Sequence, residues 1–186
     1  MADREKWVND LQELISGCRK GDPNAQEQLF RRYGPRMLSI CRRYCSNLDD
    51  ARDALQDGFV KVLKTISKYR GDSALETWMT RIFINTAIDQ FKKSTRYAGM
   101  FSDDAHHEPE ADTYDDNAGF PCSPEEALEA LDLLPPGYRM VFNLYAIEGM
   151  THRQIADALQ ISEGTSKSQY ARARKQLQEI LIQRQP

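Results

Sequence analysis

One stretch near the carboxyl end combines cations with small hydrogen-bonding groups at helical spacing. Lysine and arginine donate to DNA phosphates and to guanine in the major groove, and serine can bond at a base edge. Spacing places one set on a single helix face: Lys167, Ser168, Ala171, Arg172 and Lys175. The opposite face carries Ser166, Tyr170, Ala173 and Leu177. The pattern favours nucleic-acid recognition over catalysis, although an ordinary solvated basic face is the alternative.

The segment before this helix carries the signals of a second, shorter helix. Thr151 is a good N-cap, and Gln154 stands three residues later, where a capping-box partner belongs. Apolar residues then repeat at helical spacing up to Leu159. Residues 160–162 make a short connection, and Ser162 can cap the next helix. The sequence therefore predicts a helix–turn–helix, the unit that presents a recognition helix to a DNA major groove.

The composition is that of a globular protein without a membrane span. Hydrophobic residues make up 40% and charged residues 28% of the 186 residues. No apolar run approaches the roughly 18 residues that a membrane helix needs. The amino terminus is charged from its third residue, which does not resemble a signal peptide. We therefore expect a cytoplasmic protein with no membrane insertion.

The net charge of −3 averages unlike segments of the chain. Residues 1–100 contain 18 basic and 13 acidic residues, and residues 133–186 contain seven basic and four acidic residues. Residues 101–132 contain eleven acidic residues and no lysine or arginine. Two cationic parts are thus separated by an anionic one, and the cationic parts are suited to a polyanionic partner.

Periodicity predicts an all-α fold of two small helical domains, residues 5–97 and 123–184, joined by an acidic flexible linker, residues 98–122. Helices are expected over about 5–17, 25–45, 50–67, 75–94, 123–134 and 136–148, before the helix–turn–helix. Gly34-Pro35 is expected to bend or split the second of these. No segment reads as a strand, and the linker shows little intrinsic structure.

No catalytic residue, cofactor or metal site is predicted. The four cysteines are Cys18, Cys41, Cys45 and Cys122, and none forms a C-x-x-C pair. His106, His107 and His152 show no matching ligand spacing, so buried or idle thiols are favoured over a zinc or redox role. The chain also lacks a Walker-type glycine loop and a catalytic triad, so we do not expect an enzyme.

Three segments, in this order, resemble bacterial RNA polymerase sigma factors. Residues 50–62, DARDALQDGFVKV, resemble the helix that binds polymerase, and residues 77–93 resemble the helix that melts and reads the −10 promoter element. Residues 134–174 resemble the −35-binding domain. The small size and direct link between the domains are similar to the extracytoplasmic-function (ECF) group of the sigma-70 family. The resemblance implies a non-catalytic promoter-specificity subunit.

The resemblance also implies roles in the first domain. The acidic and amide patch Asp53, Gln56 and Asp57 would dock on the clamp helices of the polymerase largest subunit, where a solvated face is the alternative. The −10 strand would meet a loop, a polar position on the next helix and its basic end: Lys68, Tyr69, Arg70, Ser73, Asn85, Lys92, Lys93 and Arg96. Such base capture uses stacking and base-edge hydrogen bonds. Trp78 is read as core rather than as a stacking platform.

In the second domain the resemblance maps base contacts to Lys167, Ser168, Ala171 and Arg172, with Arg174 and Lys175 at phosphates or solvent. This domain would also bind the polymerase flap. Two positions depart from the common pattern: Ser166 stands where valine is frequent, and Gln169 where arginine is frequent. The −35 preference therefore cannot be copied from better-known members.

Further partners and rival functions follow from the same pattern. The resemblance implies an anti-sigma factor that covers a DNA- or polymerase-binding face. The acidic linker either occupies the polymerase active-site and RNA-exit channel or is a plain spacer. One rival is a two-domain helix–turn–helix regulator that acts without polymerase, and another is a helical scaffold for acidic proteins. An enzyme built on Asp53, Asp57 and Asp89 is remote, because metal-ligand spacing is missing.

Overall fold

The computed structural model describes residues 2–45, 47–93 and 123–183. These residues form helices and turns, and none of them lies in a strand. They divide into two compact units. The first holds the described residues up to 87 except 43–45, and the second holds 43–45 with those from 88 onward. The all-helical prediction is confirmed, whereas the predicted linker 98–122 lies outside the described residues.

Four α-helices lie in the described residues of the amino-terminal part. They are α1 (Ala2–Arg19), α2 (Pro23–Tyr44), α3 (Leu48–Thr65) and α4 (Leu75–Lys93), with a 3-10 turn at Ile66–Lys68 after α3. The predicted split at Gly34-Pro35 is wrong, because Pro35 lies inside the continuous helix α2. Proline removes one backbone donor. Both Pro35 and Arg31, whose carbonyl loses that donor, are exposed, so water can replace the missing bond.

Helix α3 buries the apolar stripe that its sequence predicts. Leu55, Phe59 and Val62 are buried, and the opposite face is exposed. Gly58 belongs to the buried side, where a Cβ atom would lie 2.3 Å from the ring of Phe83 in α4. Phe83 is itself fully buried. The glycine therefore lets α3 and α4 approach more closely than any larger residue would allow.

Residues 123–183, the described carboxyl-terminal range, also contain four α-helices. They are α5 (Pro124–Asp132), α6 (Pro136–Phe142), α7 (His152–Leu159) and α8 (Glu163–Gln183). A π-helical turn, Asn143–Ile147, extends α6, and Gly149 follows it with φ +68°. A capping box between Ser123 and Glu126 begins α5.

Helix α8 is the central element of this second part. It packs against α5, α6 and α7. The buried cluster that joins these helices consists of Ala130, Leu131, Leu134, Phe142, Ala173 and Leu177. Neighbours on several sides of α8 therefore limit which of its side chains can reach another molecule.

Candidate nucleic-acid interface

Helices α7 and α8 form the predicted helix–turn–helix. The capping box is present, because the Thr151 hydroxyl accepts from the Gln154 backbone N–H and the Gln154 side chain accepts from Thr151. Helix α7 ends at Gln160, whose φ of 56° is left-handed. Ser162 then caps α8 by accepting from the backbone N–H of Thr165 at 2.9 Å. These local bonds fix a connection of three residues between the two helices.

The outer side of α8 carries cations near its amino terminus and its middle. Lys167 is exposed, and its ammonium lies 2.8 Å from the carboxylate of Glu163. Lys175 is exposed, while Ala171 and Arg172 are half-buried. Four of the six residues predicted for −35 contact are thus at least partly accessible.

The expected exposure of the other two, Ser168 and Arg174, is wrong. Both are 4% exposed, and the Ser168 hydroxyl donates to the Thr165 carbonyl at 3.0 Å within its own helix. Gln169 is fully buried as well. A helical wheel divides α8 into one inner and one outer face, but this helix has neighbours on several sides, so some positions assigned to the outer face are covered.

The loop between the 3-10 turn and α4 has a defined internal structure. The Tyr69 hydroxyl donates to the Ser73 carbonyl at 2.6 Å, and the Tyr69 ring lies 5.3 Å from that of Trp78. Burial is the first cause that raises the pKa of Tyr69, and the charge of Asp72 is the second. Tyr69 is buried, so in this structure it supports the loop rather than offering its ring to a base.

Arg19 anchors the same loop and was not singled out by the sequence. Its guanidinium donates to the Tyr69 carbonyl at 2.6 Å and to the Ile66 carbonyl at 3.3 Å. The two carbonyls are 50 and 47 residues away in sequence. The position of Arg19 at the end of α1 gave no signal of this role, because the contact is long-range.

The other residues predicted for −10 contact differ in accessibility. Lys68, Arg70 and Asn85 are exposed, and Ser73 is half-buried. At the basic end of α4, Lys93 is exposed and Lys92 is half-buried. Trp78 is half-buried. Arg96 lies outside the described residues.

Helix α3 presents the acidic and amide patch to solvent. Asp53, Gln56 and Asp57 are exposed on the side opposite the buried stripe. Val60 continues the same face one turn later, and 44% of its surface is exposed. We call Asp53, Gln56, Asp57 and Val60 the α3 docking face. This face combines carboxylates with an apolar side chain that would lose contact with water if a partner covered it.

Among the described residues, no three His, Cys, Asp or Glu side chains lie together as metal ligands would. Within the same part of the chain, none of the helices has the length and apolar character to cross a membrane.

Comparison with known families matches both parts of the chain. Residues 29–97 match Sigma-70 region 2, and residues 125–177 match Sigma-70, region 4. The α3 docking face and the loop at residues 69–74 fall in the first match, and the helix–turn–helix falls in the second. The chain therefore carries both matched regions in order.

Curated relatives are similar over nearly their whole length. The RNA polymerase sigma-H factor of Pseudomonas aeruginosa is 28% identical over 189 residues, covering 91% of this chain and 93% of the relative. The ECF RNA polymerase sigma-E factor of Escherichia coli K12 is 28% identical over 176 residues, with 88% and 90% covered.

Two solved structures also align. One is the sigma factor RpoE in complex with the anti-sigma factor NepR from Bartonella quintana, at a TM-score of 0.48 and 23% identity. It covers 86% of this chain and 98% of that chain. The other is CnrH in complex with the cytosolic domain of CnrY, at a TM-score of 0.47 and 22% identity, with 92% and 97% covered.

Proposed function

The chain belongs to the extracytoplasmic-function group of the sigma-70 family, and from this premise we propose which of its residues carry out each step of promoter recognition. It is a promoter-specificity subunit of bacterial RNA polymerase. The proposed modules are residues 5–97 for core binding and −10 recognition, and residues 123–184 for −35 recognition. Residues 98–122 connect them.

The α3 docking face binds the clamp helices of the polymerase largest subunit. Asp53 and Asp57 supply charge, Gln56 supplies an amide, and Val60 supplies apolar area. Charged groups at the rim of an interface steer association, and the apolar side chain gains free energy when water leaves it. The exposure of all four residues on one helix supports this assignment. The second module makes a further contact with the polymerase flap.

The loop before α4 and the exposed side of α4 hold the opened −10 strand. Lys68, Arg70 and Lys93 are exposed cations that can neutralise phosphates. Asn85 is an exposed amide that can bond to a base edge. Tyr69 acts from inside the loop by fixing its shape. Free energy of binding the single strand then favours strand separation, with no cofactor or nucleotide hydrolysis.

The recognition helix α8 enters the major groove at the −35 element. Lys167 and Arg172 are the base readers, since both cations can donate to guanine O6 and N7. Ala171 makes an apolar contact, and Lys175 meets a phosphate. The burial of Ser168 and Arg174 speaks against direct contact by these two in the conformation described.

The geometry of the helix–turn–helix is the observation that carries this proposal. A capped two-turn helix, a three-residue connection and a 21-residue helix with exposed cations together form a duplex-reading unit. The protein acts in the cytoplasm as a regulatory subunit without catalysis of its own. An anti-sigma factor holds it inactive by covering the α3 docking face or α8.

Run-off transcription tests the function. The purified chain is added to bacterial core polymerase on a genomic DNA library, and the RNA 5′ ends are sequenced. We expect transcripts that start at a fixed distance from two shared sequence elements. Absence of promoter-specific RNA from a chain that is folded by circular dichroism would overturn the proposal.

Matched variants test the two interfaces. Asp53→Asn with Asp57→Asn should abolish co-purification with core polymerase. The control, Asp10→Asn with Glu13→Gln on exposed positions of α1, removes the same charge and should bind normally. Arg172→Ala should weaken −35 binding by about 1–3 kcal/mol and relax base choice. Equal core binding by both double variants would contradict the assignment of α3.

A further inference from the structure

A polar contact joins the amino-terminal turns of the two helices of the helix–turn–helix. The Nδ1 atom of His152, the first residue of α7, lies 3.0 Å from the Oγ atom of Ser166 in α8. Ser166 is fully buried. A buried hydroxyl that loses its partner loses hydrogen-bonding free energy that water cannot restore. The pair is therefore a specific link between the supporting helix and the recognition helix.

Aromatic rings fix the orientation of the imidazole. The His152 ring is stacked on Tyr145, with 4.4 Å between centroids and 14° between planes. Tyr170 meets the edge of His152 at 5.9 Å and also packs on Tyr145 at 4.4 Å. Turning the imidazole would disrupt these ring contacts. These ring contacts therefore keep the Nδ1 atom of His152 directed at Ser166.

The fully buried side chains of α7 are apolar, although the Ala158 carbonyl near the other end of the helix accepts from the Lys92 ammonium at 3.0 Å. Ile155 and Leu159 are fully buried, and they lie in the middle and at the turn end of the helix. Apolar contact is non-directional, so it tolerates a small rotation of α8 that a hydrogen bond does not. The His152–Ser166 contact is a directional contact between α7 and α8, and it constrains the rotation of α8 about its axis near the amino terminus of α8.

Rotation of α8 matters because the proposed base readers lie close to Ser166 in sequence. Lys167 is the neighbour of Ser166, and Arg172 follows Tyr170 by two residues. A rotation of about 15° moves an atom about 6 Å from the helix axis by about 1.6 Å, which is enough to misplace a base-edge hydrogen bond.

We propose that His152 and Ser166 are positioning residues that set the rotation of the recognition helix and thereby the −35 sequence that this chain selects. The proposal rests on the proposed function. It assigns a role to a serine in the inner face of the recognition helix and to a histidine outside the set of predicted DNA contacts. Both act through Lys167 and Arg172.

The test measures sequence preference in the full chain bound to core polymerase. The probe is a promoter identified from mapped RNA 5′ ends. One pool of this DNA carries the native −35 element, and a second pool carries randomised −35 positions. Selection and sequencing give the preference of each holoenzyme for the native element. We expect Ser166→Ala and His152→Phe each to lower that preference about three- to ten-fold, as loss of one net hydrogen bond implies.

The pair should behave as a unit. The double variant should lose little more than either single variant, because the same contact is removed once. Ser166→Thr keeps the hydroxyl and should remain within about two-fold of the wild type. Thermal unfolding and core binding are measured for every variant, and Ser166→Cys replaces any variant that does not fold. A structural role alone would shift unfolding and leave the selected sequence unchanged.

Three outcomes overturn the proposal: an unchanged preference in His152→Phe, additive losses in the double variant, or equal losses in Ser166→Thr and Ser166→Ala. A wild-type holoenzyme with no −35 preference would instead contradict the proposed function. The two failures are thus distinguishable.

Discussion

Lys167 and Glu163 form an ion pair on the recognition helix. The ammonium of Lys167 lies 2.8 Å from the carboxylate of Glu163, one turn earlier, and both side chains are about half exposed. A lysine that reads a base edge must leave this carboxylate. In the proposed complex Glu163 would therefore compete with DNA for the cation, and its negative charge would repel the phosphates near the helix.

Removal of the Glu163 carboxylate should strengthen −35 binding. We expect Glu163→Gln to raise holoenzyme affinity for the promoter by about two- to five-fold, which corresponds to the small free energy of an exposed ion pair. Fluorescence anisotropy of a labelled promoter measures the effect. Glu179→Gln, at an exposed position near the other end of α8, is the matched control and should change affinity less. An equal gain in promoter affinity for both variants would show that the effect comes from the net charge of the protein and not from the Lys167–Glu163 pair.

The advantage of Glu163→Gln should be independent of pH near neutrality and should disappear only in acid. The hydrogen bond from Lys167 is the first cause, and the charge of Lys167 the second, that hold the pKa of Glu163 below its ordinary value. Because the folded pKa is lowered, the pair is intact above the unfolded pKa and is lost as pH falls through the folded one. Affinity of the variant relative to wild type should therefore be constant between about pH 6 and 8. A marked decline within that range would contradict this account.

Arg19 should control the loop that meets the −10 strand. Arg19→Lys retains the charge but removes the fork that bonds the Ile66 and Tyr69 carbonyls. We expect several-fold less promoter opening, measured as permanganate reactivity of −10 thymines in the holoenzyme complex, because a looser loop must be ordered on binding.

The control for Arg19→Lys is Arg31→Lys in α2. The Arg31 side chain is 77% exposed, and its ion pair is with Glu27 on the same helix. This variant should open promoters normally. Reduced opening in both variants, or normal opening in Arg19→Lys with intact −35 binding, would show that the anchor does not matter for melting.

Local signals in the sequence predict most of the second unit. Thr151 with Gln154 and Ser123 with Glu126 are capping boxes in the structure, as their spacing indicates. Ser162 caps α8, and Gly149 adopts a positive φ after the π-helical turn. Each of these features depends on residues only a few positions apart, so the residue types and their spacing are enough to predict it.

Long-range packing is what the sequence does not reveal. Helical spacing predicts Ser168 at the surface, and the resemblance places Arg174 at phosphates or solvent, yet both are buried. The anchoring role of Arg19 likewise depends on carbonyls about 50 residues away. Pro35 shows the reverse case, because a strong local breaker is tolerated inside α2 where water can reach the vacant carbonyl. Periodicity predicts which face of a helix is apolar, whereas the burial of its other positions depends on the elements that pack around it.

Gly58→Ala should destabilise the first unit despite the higher helix propensity of alanine. The added methyl group would lie 2.3 Å from the buried ring of Phe83, and overpacking of this kind costs about 1–3 kcal/mol. Without the clash the same change would stabilise a helix by about 1 kcal/mol. Urea unfolding followed by circular dichroism measures the free energy of unfolding.

Gly164→Ala provides the matched control for Gly58→Ala. Its Cβ atom would have Ser162 Oγ as its nearest neighbour, at 3.6 Å, so the substitution has room on an exposed first turn of α8. We expect the free energy of unfolding to stay the same or rise. An increase in stability for Gly58→Ala would contradict the close approach of α3 and α4.

Cysteine reactivity should follow burial. Cys18 and Cys41 are buried, whereas Cys45 is partly exposed. Burial is the first cause that raises the pKa of the Cys18 thiol above 9.0, and the charge of Asp22 is the second. Since the thiolate is the nucleophile, iodoacetamide at neutral pH should label Cys45 well before Cys18, measured by peptide mass spectrometry in a Cys122→Ser background.

In guanidinium chloride all three should react alike, and labelling of folded Cys18 should keep rising above pH 9. Labelling of Cys18 as fast as Cys45 in the folded chain would show that α1 does not protect it.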